Sequence, residues 1–310
     1  MGFRRRVQGV GSVDGLGARS LNFFTFRECI SKEQKETEKT MGELDGQVAI
    51  VTGAGRLRGI GRAACVALAK LGADIVPTGT GRNPATFPDD EKAIGWKDIE
   101  GTAEQVRALG RRALPLVVDV SDAEQVAAMA EKTVREFGRI DIMINNAAYA
   151  RGADRVPTVV LDDAIFKRVV DIKIMGTYLC SKAAAQVMLA RGEGGKIINV
   201  SSGAGKRGDA DTLAYCAGCF AQVAMTQTLA HELGPYGVNV NCVCPGAVDT
   251  HRMDDLVYSD AWGQMAQETP IGRNGTDDEV GEFIAYLCTK AASWIHGQSI
   301  NIDGGLIMEH

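Results

Sequence analysis

Tyr215 opens a predicted helix in "AYCAGCFAQ", and Cys219 follows one turn later. For this phenol to give or take a proton near neutral pH, something must stabilise its anion, because an unperturbed phenol titrates near ~10. A thiol at 219 supplies no positive charge. Whether another residue does so separates an enzyme from a relic of one. The same stretch reads as C-x-x-C at 216–219, a spacing used by redox and metal pairs. No second C-x-x-C completes a zinc site, since "CVC" at 242–244 is spaced differently, and the context is not thioredoxin-like. Small packing residues on a helix are the better reading. His231, His251, His296 and His310 are scattered without an H-x-x-x-H pair, and no metal is inferred.

A second constellation is "TGAGRLRGIGRA", in which Gly53, Gly55, Gly59, Ile60 and Gly61 lead from a strand into a helix. Glycines here let the backbone turn tightly and approach a pyrophosphate, while the helix N-terminus offers unpaired N–H groups and partial positive charge. A glycine turn without a ligand is the bland alternative, which strand before and helix after disfavour. The acidic residue that would bind a ribose 2′-hydroxyl at the end of the second strand is absent. "PTGTGR" puts Gly79 and Thr80 there, with Arg82 just beyond. Nothing then repels a 2′-phosphate, and Arg82 with Arg58 could bind one, unless Arg82 is only a solvated loop residue. NADP(H) is the expected cofactor, and NAD(H) the second choice.

The elements that must hold these residues alternate along the chain. Apolar runs at "QVAIVTGAG", "DIVPTG", "ALPLVVDV", "IDIMINNAA", "GKIINVSS", "VNVNCVCPG" and "SINIDGG" read as strands. Helical patterns separate them, including one long helix over "DDAIFKRVVDIKIMGTYLCSKAAAQVMLARG" and another over "TLAYCAGCFAQVAMTQTLAHELGPYG". Continuous apolar strands alternating with helices imply a parallel sheet buried on both faces. The expected fold is α/β, a doubly wound parallel sheet in a single domain at 45–310. Residues 1–44, with "SKEQKETEKT", read as a flexible extension that cannot bury enough apolar surface to order itself. "NPATFPDDEKAIGWKDIEG" at 83–101 is an insertion after the second strand, with no role beyond cover for an adenosine end.

Composition narrows the partners. Hydrophobic residues at 45% and charged residues at 24% are ordinary for a soluble globular chain. The net charge of −5 carries no basic stripe, which argues against nucleic acid. No run is long enough to span a membrane, and the N-terminus lacks the apolar core of a secretory signal. Eight cysteines in such a chain are expected to be reduced thiols, and a cytoplasmic location is expected.

In order and spacing, several pieces together resemble the short-chain dehydrogenase/reductase family over residues 45–310. They are "TG…GIG" at 52–61, "DVSD" at 119–122, "NNAA" at 145–148, "INVSS" at 198–202, Tyr215 thirteen residues after Ser202, "CPGAVDT" at 244–250 and "GQSINIDGG" at 297–305. The glycine loop is two residues longer than the common family pattern. The resemblance implies that Asp119 and Val120 flank the adenine, that Asn145, Asn146 and Ala147 line the cofactor cleft, and that Pro245, Gly246 and Val248 border the nicotinamide. It implies that Ser202 hydrogen-bonds the substrate oxygen and that Tyr215 exchanges its proton while hydride moves. The substrate implied is a small alcohol or ketone. A homo-oligomer, tetramer or dimer, is implied as well, built through the two longest helices and the C-terminal region.

Two positions depart from the family. Its lysine four residues after the tyrosine, which anchors the nicotinamide ribose and favours phenolate, is Cys219 here. Its asparagine on the preceding helix, which organises a proton-relay water, is Lys173. The two changes are compatible with one exchange, in which Lys173 reaches the volume that Cys219 vacates and supplies the missing charge. The alternative is an exposed lysine, or one paired with Asp171 or Asp162. Two other functions compete: a dinucleotide-binding pseudoenzyme or regulatory subunit, and a non-redox lyase or isomerase. Substrate choice is assigned to a lid at 251–270 and to 149–158, neither of which shows a polar code.

Overall fold

The computed structural model describes residues 42–257 and 259–309. Most of the expected extension at 1–44 lies outside the described residues, as do Cys29, Tyr258 of the lid and His310. Leu44, inside the boundary proposed for that extension, is buried and donates its backbone N–H to Leu71 O at 2.8 Å.

The strands are β1 (Val48–Val51), β2 (Asp74–Gly79), β3 (Leu116–Val117), β4 (Ile142–Asn145), β5 (Gly195–Val200), β6 (Val238–Pro245), β7 (Val248–Asp249), β8 (Gly275–Thr276) and β9 (Ser299–Ile302). Seven of them form one sheet in the order β3-β2-β1-β4-β5-β6-β9, and every pairing is parallel. β7 and β8 make a separate parallel pair. The expected doubly wound sheet is therefore the fold. Alternate side chains enter two cores: Ala49, Val51, Ile75 and Ile144 on one face, Val48, Ile50, Val76 and Met143 on the other. This two-sided burial is why the strands read as continuous apolar runs. β3 is shorter than "ALPLVVDV" suggested; Pro115 has no N–H to give a ladder, and an isolated bridge joins Ala113 to Ile75 before it.

Helices Ile60–Lys70 and Asp277–Cys288 cover the first face. A Cβ at Gly281 would lie 2.6 Å from the Ala63 carbonyl carbon, so glycine lets these two helices touch. Helices Ala123–Phe137 and Gly176–Arg191 cover the other face, the first capped by the Asp122 carboxylate on the Glu124 and Gln125 amides. The single helix expected across 162–192 is continuous but not regular. Asp163–Val170 passes through a π-turn at Asp171–Met175 before Gly176–Arg191. Hydrophobic spacing carries no signature of that extra residue, because apolar side chains flank the turn on both sides. Lys173 sits in its middle. Among the described residues no helix is long and apolar enough to cross a membrane.

Candidate active site

The strand order reverses between β1 and β4, and a cleft of about 630 Å³ opens beside their carboxyl ends, where doubly wound sheets bind ligands. Gly53, Gly55, Arg58, Gly59, Ile60, Gly61, Thr80, Arg82, Asp119, Val120, Asn146 and Ala147 line it. Thr52 builds its floor. Its hydroxyl donates to Ile144 O at 3.2 Å and accepts from the Asn146 and Ala147 amides at 3.0 and 3.1 Å. The Asn146 side chain returns a donor to the carbonyls of Thr52 and Gly53 at 2.8 and 3.0 Å. A Cβ at Gly61 would lie 2.6 Å from both Asn146 Nδ2 and Gly53 O, so only glycine lets the helix start approach this closely. Asp119 accepts from Ser121 and Arg168. Burial opposes its charge, yet these bonds hold its carboxyl below the usual carboxylate range.

Four carried-over positions do not line the cleft. Asn145 is buried and donates to Ser181 Oγ and Asn199 Oδ1, both at 2.8 Å, so its amide ties β4 to β5 and to helix 176–191. Pro245 ends β6, Gly246 packs on Asp303, and Val248 pairs with Gly275 in β7 and β8.

The insertion at 83–101 is a clamp on the lengthened glycine loop. Glu91 accepts from the Leu57 amide at 2.9 Å, Trp96 Nε1 donates to Gly55 O at 2.7 Å, and Thr102 Oγ1 donates to Ala54 O at 2.6 Å. Arg82 is neither solvated nor free. Its Nε donates to Asp98 at 2.8 Å, Nη1 to Glu91 at 2.7 Å and Nη2 to Gly55 O at 2.7 Å, while the guanidinium stacks on Phe87. Arg58 is likewise held by Asp90, Asp249 and Asp254. Arg56 also lines the cleft, and its side chain has no hydrogen-bond or ion-pair partner among the described residues. Burial, and then the neighbouring Arg82 charge, lower its pKa, so an anion is welcome there. A glycine cradle at a helix start, a cleft of this size and an unpaired guanidinium at its edge fit a nicotinamide dinucleotide.

Tyr215 stands in the first turn of helix Leu213–Leu233, and Ser202 caps the 3₁₀ turn Gly203–Gly205 that follows β5. Ser201 Oγ donates to Cys219 O at 3.0 Å, which fixes that turn to the tyrosine helix. Neither Ser202, Tyr215 nor Lys173 lines the cleft itself. Lys173 is 1% exposed, the largest of the fully buried side chains. Its ammonium donates to Gln222 Oε1 at 2.8 Å and Val200 O at 3.0 Å, and lies 5.5 Å from the centroid of the Tyr215 ring. It is not ion-paired: Asp171 takes Lys167, and Asp162 caps Ala164. A Cβ at 218 would come 2.7 Å from Lys173 Cβ, so Gly218, which the sequence reading passed over, makes the room this side chain occupies.

The two substrate loops do carry polar groups, contrary to the sequence reading. The Arg155 and Arg252 guanidinium carbons lie 4.2 and 4.8 Å from the Tyr215 ring centroid, and Arg151 lines the adjoining cleft. Their signal was present as three arginines within two loops flanking one tyrosine, but only the fold brings them together. The seven described cysteines are all buried and free, and burial pushes the Cys180 and Cys288 thiols up to about 12.

Comparison with known proteins agrees with this geometry. The family model described as enoyl-(acyl carrier protein) reductase matches residues 53–307. The chain is 36% identical over 266 residues to cis-4-hydroxycyclohexanecarboxylate dehydrogenase of Sinomonas cyclohexanicum, covering 86% of this chain and 98% of the relative. It is 34% identical over 272 residues to galactitol 2-dehydrogenase of Agrobacterium fabrum, with 84% and 98% covered. A solved gluconate 5-dehydrogenase from Burkholderia cenocepacia, in complex with NADP and tartrate, superposes with a TM-score of 0.73 at 31% identity, covering 85% of this chain and 96% of that one. The chain belongs to the short-chain dehydrogenase/reductase family, a class of NAD(P)-dependent oxidoreductases.

Proposed function

We propose that this protein interconverts a secondary alcohol and a ketone with NADP(H) as its preferred cofactor. The observation that carries this reading is the buried Lys173 ammonium beside Tyr215, in space left by Gly218 and Cys219. An uncompensated buried charge is costly, and a site that keeps one next to a phenol gains from it when that phenol becomes an anion. When bound, the cofactor takes or gives the hydride. Ser202 hydrogen-bonds the substrate oxygen. In the oxidative direction Tyr215 accepts the alcohol proton as the carbon gives up hydride; in reduction the phenol returns that proton to the carbonyl oxygen. Lys173 stabilises the phenolate from behind, held in place by Gln222 and Val200. The NADP(H) preference rests on Arg56, since Arg82 already neutralises the Asp98 carboxylate at the same end of the cleft.

Exposed apolar side chains on the two long helices, Tyr178 and Leu189 on one and Leu213 and Phe220 on the other, support a homo-oligomer; a monomeric mass by sedimentation would refute it. The function is tested by paired NADPH and NADH oxidation over a panel of ketones. Native protein should prefer NADPH, and Lys173→Ala should lose at least ~100-fold in kcat, while Arg56→Ala should lose the preference for NADPH. Dinucleotide binding without turnover of any ketone would return the protein to a cofactor-binding role, and near-native turnover by Lys173→Ala would remove Lys173 from the mechanism.

A further inference from the structure

At the Tyr215 end of the cleft, three guanidiniums meet two carboxylates. Arg155 pairs with Asp154 at 2.8 Å, and that carboxylate is fully buried. Arg151 pairs with Asp255. Arg252 has no carboxylate partner among the described residues: its Nη1 donates to the Tyr149 carbonyl, and its Nη2 is buried with no hydrogen-bond partner. A buried guanidinium nitrogen left without an acceptor forfeits a charge-assisted bond. Burial, followed by repulsion from Arg252, lowers the pKa of Arg151; burial also lowers that of Arg155, where Asp154 opposes the shift and Arg252 adds to it. An anion seated among the three would relieve that repulsion.

We propose that this end of the cleft is a carboxylate-binding subsite, with Arg252 as its principal ligand, so that the substrate is a hydroxy acid or the matching keto acid. The inference deepens the alcohol and ketone reading and rests on it. The ligand is a carboxylate rather than a phosphate because a single uncompensated positive charge and a single orphaned nitrogen match a singly charged group. The stacking of Arg155 and Arg252 on the Tyr215 ring places the subsite beside the proton-exchanging group. Guanidinium planes suit carboxylates through paired N–H donors, which a lysine would not reproduce.

The test uses a matched pair differing by one carboxylate, cis-4-hydroxycyclohexanecarboxylate and cyclohexanol, oxidised with NADP⁺ by the full chain. Native protein should favour the acid in kcat/KM by at least ~10-fold, through KM. Arg252→Met should cut the acid-to-neutral ratio at least ~10-fold, and Arg252→Lys should recover only part of it. Equal losses on both alcohols, or a loss of NADP⁺ affinity that accounts for the whole effect, would assign Arg252 to the cofactor and overturn the subsite. Calorimetry of the NADP⁺ complex with cyclohexanecarboxylate gives a readout independent of turnover. Saturable binding that Arg252→Met abolishes supports the subsite even where no alcohol is oxidised, a result that would count against the redox reading alone. No saturable binding, or equal binding by the variant, overturns it.

Discussion

Cys219 and Gly218 are small where the tyrosine helix faces Lys173, and the lysine fills what they leave. Restoring bulk should therefore be felt directly. Gly218→Ala should destabilise the fold by about 1–3 kcal/mol, because the new Cβ overlaps the Lys173 stem; an unchanged denaturant midpoint would show that the lysine moves aside freely. The same geometry sets the rescue. Cys219→Lys in a Lys173→Asn background restores the usual family pair and should be at least as active as native protein; a dead double variant would mean the two positions are not exchangeable. The compensation between 173 and 219 was legible from the sequence once the family positions were aligned. Gly218 was not, because a glycine in a helix announces neither which neighbour needs its space nor how close that neighbour comes.

The insertion at 83–101 shows what a sequence withholds at the level of an element. Its boundaries were readable from composition, but its partners lie on the glycine loop about thirty to forty residues away in the chain. Arg82 illustrates the difference. Placed just beyond the second strand it read as a phosphate ligand, whereas it joins Glu91, which is fully buried, and Asp98 to Gly55. Removing it by Arg82→Ala should leave Glu91 uncompensated and cost about 3–5 kcal/mol, measured by urea unfolding, with the NADPH-to-NADH ratio little altered. A selective loss of NADPH affinity with native stability would restore the phosphate role. The order of strands and the cleft at their reversal were legible throughout, since two-sided burial writes itself into each apolar run.

Over the molecule as a whole, acid sensitivity should be concentrated where the sheet is pinned. Asp141 accepts from the Val48 amide, Arg139 and Arg191. Burial opposes its charge, but these donors hold its carboxyl below the usual range. A folded pKa below the unfolded value of ~3.9 means that its stabilisation is complete above that pH and is lost as pH falls through the folded value. Asp141→Asn should accordingly lower stability at pH 7 and flatten the acid limb of the stability curve. An acid limb as steep as in native protein would place the titrating group elsewhere. The π-turn at Asp171–Met175 sets the angular phase of everything beyond it. Deleting one residue there would regularise the winding and swing the downstream face by about 100°, turning Gly176 away from Val120 and changing which side chain meets the phenol. A single-codon loss in this turn should thus silence the protein without touching any group that handles a proton.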